Sequence, residues 1–230
     1  MIAIFYAIEG EIGEPWEGFL LKEEIRGTKR QEQGTVLKRG IYNSQEIILV
    51  QTGMWEQVSG LGNVYAGQVA EFVLSKFPVT TLIIVATCGG LNKNFKAGNL
   101  VMCNPISSEG KQSIFPDFKL CSIAGNMLNE RGLRFYMGES LTIPYFARFE
   151  EKKEIKKRCP EAIVVEMENY FIASVAISKD VPFLSLRVVI DAFEENSNER
   201  EIEECFKKAG NILRDEFLLP FLQEIKKQDL

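Results

Sequence analysis

Short apolar runs bounded by glycine, proline or charge alternate along this chain with stretches whose apolar positions recur at helical spacing. Residues 2–8 (IAIFYAI) form a short apolar run that stops before Gly10 and suits a buried strand. Residues 46–52, centred on IILV, predict a second strand, and 63–77 carry Val64, Val69, Phe72 and Val73 at helical spacing before Pro78. The run 81–87 (TLIIVAT) is continuously apolar, as in a strand covered on both faces, and feeds a CGG turn. Residues 99–103, 162–165 and 182–190 predict three more strands. The charged stretch 149–158 predicts a surface helix ending before Pro160, and 168–178 a helix containing Ile172, Ala173, Val175 and Ala176. The tail from about 200 to 227 reads as one amphipathic helix bent near Gly210 and Pro220. Strands alternating with helices over one stretch without repeats or linkers predict a single three-layer α/β domain over 1–230. Its central sheet is mixed, largely parallel and flanked by helices.

In such folds ligands collect at the carboxyl ends of the strands. That rule selects the loop 7–18 (AIEGEIGEPWEG), the turn 85–92 (VATCGGLN), the junction 164–171 (VVEMENYF) and Asp191 closing LRVVID. The first holds Glu9, Glu11, Glu14 and Glu17 with no lysine or arginine among them. It suits a general base and repels phosphate, although on composition alone an exposed acidic loop is the commoner reading. In the second, Thr87 offers a hydroxyl, and Gly89 lets a ligand approach the backbone closely or serves the packing of the turn. In the third, Glu166 and Glu168 bracket Met167. A carboxylate there can accept bonds from two sugar hydroxyls while the thioether packs on the sugar face, although acidic residues are also favoured at any helix N-terminus. Asp191, at the end of an apolar strand, is expected to be partly buried, where desolvation favours a proton-donating acid. A helix-cap or turn aspartate is the alternative. The segment 59–67 (SGLGNVYAG) fails the dinucleotide fingerprint because Tyr65 stands where glycine is required.

Composition narrows the chemistry. The chain has 230 residues and no histidine, which removes imidazole acid/base catalysis, histidine-activated nucleophiles and histidine-ligated metals. Proton transfer falls to Asp, Glu, Lys, Tyr or Cys. A net charge of −5 argues against nucleic-acid or anionic-membrane partners. Five scattered cysteines without a CxxC pair argue against a disulfide framework or a zinc knuckle. With no signal segment or membrane span read in the sequence, a cytoplasmic enzyme is expected.

In order along the chain, AIEGE, VATCGGL, VEMEN and LRVVID resemble the nucleoside phosphorylase/hydrolase superfamily. The resemblance is specifically to the 5′-methylthioadenosine/S-adenosylhomocysteine nucleosidases and the related futalosine-pathway hydrolases. It implies that Glu11 is the base that deprotonates water and Asp191 the group that protonates the purine. Thr87 and Gly89 would lie in the binding turn, Met167 and Glu168 (with Glu166 in the same segment) at the ribose, and Tyr145 and Phe146 against the base. Cleavage would run through an oxocarbenium-like state with two carboxylates, with no cofactor and no metal. The partner would be a small-molecule nucleoside.

Three departures from the family stand beside these motifs. Ile190 replaces the family's serine before the aspartate. Residues 104–118 lack the pattern that helps form the family's dimer, so a homodimer stays open. Ile202 stands near where an aromatic covers the 5′ group. Changes on the 5′ side with the base and ribose motifs intact point to adenine carried on a different 5′ substituent, with 6-amino-6-deoxyfutalosine, a menaquinone precursor, the expected substrate. Methylthioadenosine cleavage, a purine nucleoside phosphorylase and an inactive purine-binding protein are the alternatives.

Overall fold

The computed structural model describes residues 1–8, 10–13, 16–26, 34–53, 62–193 and 199–228, with backbone alone at 62–64 and 199–203. Glu9, Glu14, Ser59 and the Ile202 side chain therefore lie outside the described residues. Among the described residues, nine strands form one sheet: β1 (Ile2–Tyr6), β2 (Leu20–Arg26), β3 (Val36–Tyr42), β4 (Gln45–Gln51), β5 (Thr81–Gly90), β6 (Leu100–Ser108), β7 (Phe135–Thr142), β8 (Ala162–Glu166) and β9 (Phe183–Asp191). Their order is β2-β3-β4-β1-β5-β8-β7-β6-β9, and β9 returns to pair with β5, so this part of the sheet closes on itself. The pairings of β1 with β4 and β5, of β5 with β9, and of β7 with β6 and β8 are parallel. Those of β3 with β2 and β4, of β5 with β8, and of β6 with β9 are antiparallel.

The helices cover both faces. On one side α1 (Gly62–Lys76) and α4 (Asn169–Ser178) bury Ala66, Ala70, Val73, Ile172 and Ala176 against Ala3, Phe5, Ile48 and Ile84. On the other, α2 (Phe118–Glu130) and the C-terminal helices bury Leu120, Ala124, Phe217, Phe221 and Leu222 against Ile4, Leu49, Val85 and Leu186. β1, with every residue buried, lies between these layers, which is why its sequence carries no polar alternation. A third cluster joins α3 (Phe149–Arg158) to β7 and β8 through Ile155, Leu141 and Val165.

Four differences from the sequence reading have local causes. β5 runs through the expected CGG turn to Gly90, because Gly89 and Gly90 pair with Val165 and Val164 of β8. A register shift between Cys88 and Gly89 accommodates β9 on the other edge. The tail is α5 (Glu199–Asn211), a wider π-helical segment (Ile212–Leu218) and α6 (Leu219–Lys227), with Pro220 in the first turn of α6. α3 forms over the expected residues, yet it is no plain surface helix, since Lys152 and Ile155 point inward and are fully buried. Strands β2, β3 and β7 and helix α2 lie outside the elements expected from the apolar pattern. β2 is the exposed, charged sheet edge (LLKEEIR), a composition that discourages edge-to-edge pairing.

Candidate active site

β1 delivers the first carboxylate. Beyond Ile8 the backbone folds back on itself, with Gly10 and Gly13 in the left-handed region (φ +90° and +58°) and the Glu11 amide donating to the Ile8 carbonyl. This return turns the Glu11 side chain inward, so it is buried at 2% exposure, while Glu17 on the same loop faces solvent. Glu11 Oε2 accepts from the amides of Ala7 (2.7 Å) and Ile8 (3.1 Å). Its Oε1 accepts from the Thr87 amide (3.0 Å) and the Thr87 hydroxyl (2.9 Å). The loop is thereby tied to the end of β5, 76 residues away in sequence. Of the four donors, the Thr87 hydroxyl is the one that can rotate away without moving backbone.

β8 and β9 supply a second group of charges. Arg187 is the lone cation in the apolar strand β9 and is 1% exposed. It donates to Glu166 Oε2 (3.1 Å) and to the Thr87 carbonyl (3.4 Å), and it lies 4.0 Å from Glu168 Oε2. The two glutamates of VEME have separate tasks. Glu166 is saturated by internal donors: the Thr142 hydroxyl, the amides of Glu168 (2.9 Å) and Asn169 (2.6 Å), and Arg187. It thus caps the start of α4 and braces the site from behind. Glu168 occupies the N-cap position of α4, yet its carboxylate makes no capping bond. Burial, reinforced by the nearby charges of Glu166 and Glu11 and opposed by Arg187, pushes the Glu168 carboxyl up to about 8. Met167, between the two, is half-buried.

Asp191 ends β9 beside Gly89 and is 3% exposed. Its Oδ2 lies 2.6 Å from Nζ of Lys152, a lysine buried to 1%. The same ammonium donates to the carbonyls of Asp191 (3.0 Å) and Ala192 (3.3 Å). Gly89 is what makes room for it, because a Cβ at that position would stand 3.1 Å from Lys152 Cε and 3.3 Å from Nζ. Desolvation lowers the Lys152 pKa below its ordinary range, against the pull of Asp191. Tyr145 and Phe146 lie in the loop between β7 and α3, 37% and 55% exposed.

The fold therefore gathers Glu11, Thr87, Arg187, Glu166 and Glu168 into one bonded or charge-coupled cluster and sets Asp191 with Lys152 beside Gly89. Lys152 and Arg187 are the two residues that motif reasoning passed over. Both left a signal: Arg187 is a cation inside an apolar strand, and Lys152 lies three residues before Ile155 on the inward face of α3. Among the described residues, no group of three or more metal-ligating side chains is placed to hold an ion. No described helix is long and apolar enough to cross a membrane.

Comparison with known proteins bears on this arrangement. A 5′-methylthioadenosine/S-adenosylhomocysteine nucleosidase of Staphylococcus haemolyticus is 24% identical over 209 residues, covering 83% of this chain and 86% of that protein. The structure of futalosine hydrolase from Helicobacter pylori superposes with a TM-score of 0.81 at 21% identity, covering 99% of this chain and 97% of that one. The structure of a putative 5′-methylthioadenosine/S-adenosylhomocysteine nucleosidase from Borrelia burgdorferi, bound to adenine, gives a TM-score of 0.81 at 21% identity, over 98% of this chain and 100% of that one. These likenesses establish the α/β fold. The family model described as the phosphorylase superfamily matches residues 2–215, and the chain belongs to that superfamily.

Proposed function

We propose that this protein hydrolyses the N-glycosidic bond of a 5′-substituted adenosine and releases adenine. The observation that carries the reading is the buried Glu11 carboxylate, aimed inward from the end of β1 and held by the one rotatable hydroxyl at the end of β5. Rotation of that hydroxyl frees a lone pair with which Glu11 takes a proton from water. The water adds to C1′ as the bond to the purine breaks. Glu168 and Met167 take the ribose: the carboxylate accepts from its 2′- and 3′-hydroxyls and, once ionised, stabilises the developing cation. Asp191 serves the departing purine at N7, with Gly89, Tyr145 and Phe146 around the base. Glu166 acts through Arg187 and the start of α4. No step calls on a cofactor. Hydrolysis is preferred to phosphorolysis because Arg187 and Lys152 already face carboxylates, and the first loop is acidic.

For the 5′ group we propose 6-amino-6-deoxyfutalosine, because the departures from the methylthioadenosine enzymes lie in residues 104–118 and at Ile202. Phe115 and Phe118 within or beside the first segment are exposed at 64% and 84%. Methylthioadenosine is the second reading, favoured by the names of the curated relatives. The free cysteines fit a reducing, cytoplasmic setting. Rates of adenine release from methylthioadenosine, adenosylhomocysteine and aminodeoxyfutalosine decide between the two. A higher kcat/KM on aminodeoxyfutalosine is expected, and equal or better turnover of methylthioadenosine contradicts the assignment.

A further inference from the structure

The Lys152–Asp191 pair has no counterpart in the two-carboxylate scheme. A fully buried ammonium is costly to keep, and this one has three oxygen acceptors, all at the end of β9. It sits at the place where the scheme needs an acid. At 2.6 Å the Lys152 ammonium places a second exchangeable proton directly against the Asp191 carboxylate, so the acid at this position is the pair. We propose that Lys152 is a positioning residue that holds Asp191 toward the purine and supplies, through it, the proton delivered to the leaving base. The proposal rests on the nucleosidase reading and deepens it.

The step balances. The bond from C1′ to N9 breaks, and its electron pair stays on the purine. One proton passes from Lys152 Nζ to Asp191 Oδ2, and the carboxyl gives it up to N7, leaving a neutral amine and an ionised Asp191. Water supplies hydroxide to C1′ and its proton to Glu11. After the products leave, Glu11 releases that proton to solvent and Lys152 regains one, so the net reaction consumes one water. Burial of Nζ eases loss of its proton. The titratable groups facing Nζ are Asp191 on β9 and Cys88 on β5, while Glu151 and Lys153, its neighbours on α3, point outward. Gly89 of β5 completes the fit, since any side chain there would press on the amine.

The test is the pH dependence of kcat for adenine release, on whichever of the three nucleosides the wild type cleaves fastest. Lys152→Gln keeps two N–H donors for the oxygens at the end of β9 but has no proton to give. The expected result is a kcat about a hundredfold lower at pH 8, with KM within about threefold because Asp191 still meets the base. The alkaline limb, in the wild type set by loss of the ammonium proton below the ordinary lysine value of about 10.4, moves toward acid pH in the variant. Cys88→Ala leaves the limb where it is. A Lys152→Gln profile of unchanged shape, or a loss confined to KM, overturns the proposal. Should that variant fail to fold, a wild-type kcat with no alkaline limb below about 10.4 overturns it as well. A wild type that cleaves none of the three overturns both the relay and the nucleosidase reading, whereas an unmoved limb on an active enzyme removes the relay alone.

Discussion

Glu166 and Glu168 differ in burial, partners and consequence although one residue separates them. Glu166 is spent on the amides that open α4 and on Arg187, so its loss is a structural injury. Replacing Arg187 by Met leaves Glu166 buried without its counter-charge and should cost about 3–5 kcal/mol, read from urea midpoints. A loss under about 1 kcal/mol would mean that the pair is not braced as described. Glu168 keeps its proton up to about pH 8 in the folded protein, while an unperturbed carboxyl releases it near 4.5. The raised value favours the folded state most fully below about 4.5, and that contribution disappears as pH rises through about 8. Urea midpoints of the ligand-free wild type should therefore fall, relative to those of Glu168→Gln, between pH 5 and pH 9. Parallel curves would show that Glu168 is already ionised. This distinction was not legible in VEMEN, where the two residues are chemically alike. Which of them caps the helix depends on the backbone direction leaving β8, a tertiary fact. Lys152 was hidden for a related reason: EEKKEIKKR reads as a solvated face, and only the packing of α3 on β5 and β8 turns one of its lysines inward.

Among elements, the loop after β1 depends on the C-terminal helix. Gly210 at the end of α5 packs so closely on Gly10 and Gly13 that a Cβ there would run into the Gly10 carbonyl oxygen. Both partners are backbone and cannot turn aside. Gly210→Ala should cost about 1–3 kcal/mol by overpacking and lower kcat by displacing the turn that carries Glu11. Wild-type melting temperature and rate in this variant would contradict the coupling. The elements that could be read from sequence share one property: β1, β4, β5 and β9 are buried through their centres, with apolar runs that are continuous in β1, β4 and β5 and broken in β9 only by Ser185, Arg187 and the closing Asp191. Those missed have mixed faces or none. β7 alternates irregularly (FYMGESLT), and the edge strand β2 is exposed almost throughout. The CGG segment suggests a turn because paired glycines usually mark one. Here they continue β5, where a Cβ on Gly89 would crowd Lys152 and Val165, at 3.1 and 3.2 Å, and one on Gly90 would only touch Phe95.

For the whole molecule, the layered core predicts how its five thiols behave. Cys88, Cys103 and Cys121 are buried, and desolvation pushes Cys103 and Cys121 up to about 11 and Cys88 well above the usual thiol range. Cys159 and Cys205 are only partly covered. Native protein at pH 8 should release two thiols quickly to an aromatic disulfide reagent and the other three only on unfolding. Rapid reaction of all five would mean that the sheet is not closed over its core. Among the described residues, the same layering leaves the strand ends as the one place where three buried carboxylates, a buried lysine and a buried arginine lie together, which is why the chemistry is assigned there. The most direct test of that assignment is adenine release in phosphate-free buffer by wild type and by Glu11→Gln, with adenine binding measured on both. The account predicts turnover by the wild type without phosphate, none above background by Glu11→Gln, and comparable adenine affinity in the two. Turnover that requires phosphate, or a Glu11→Gln protein that still cleaves, would contradict it.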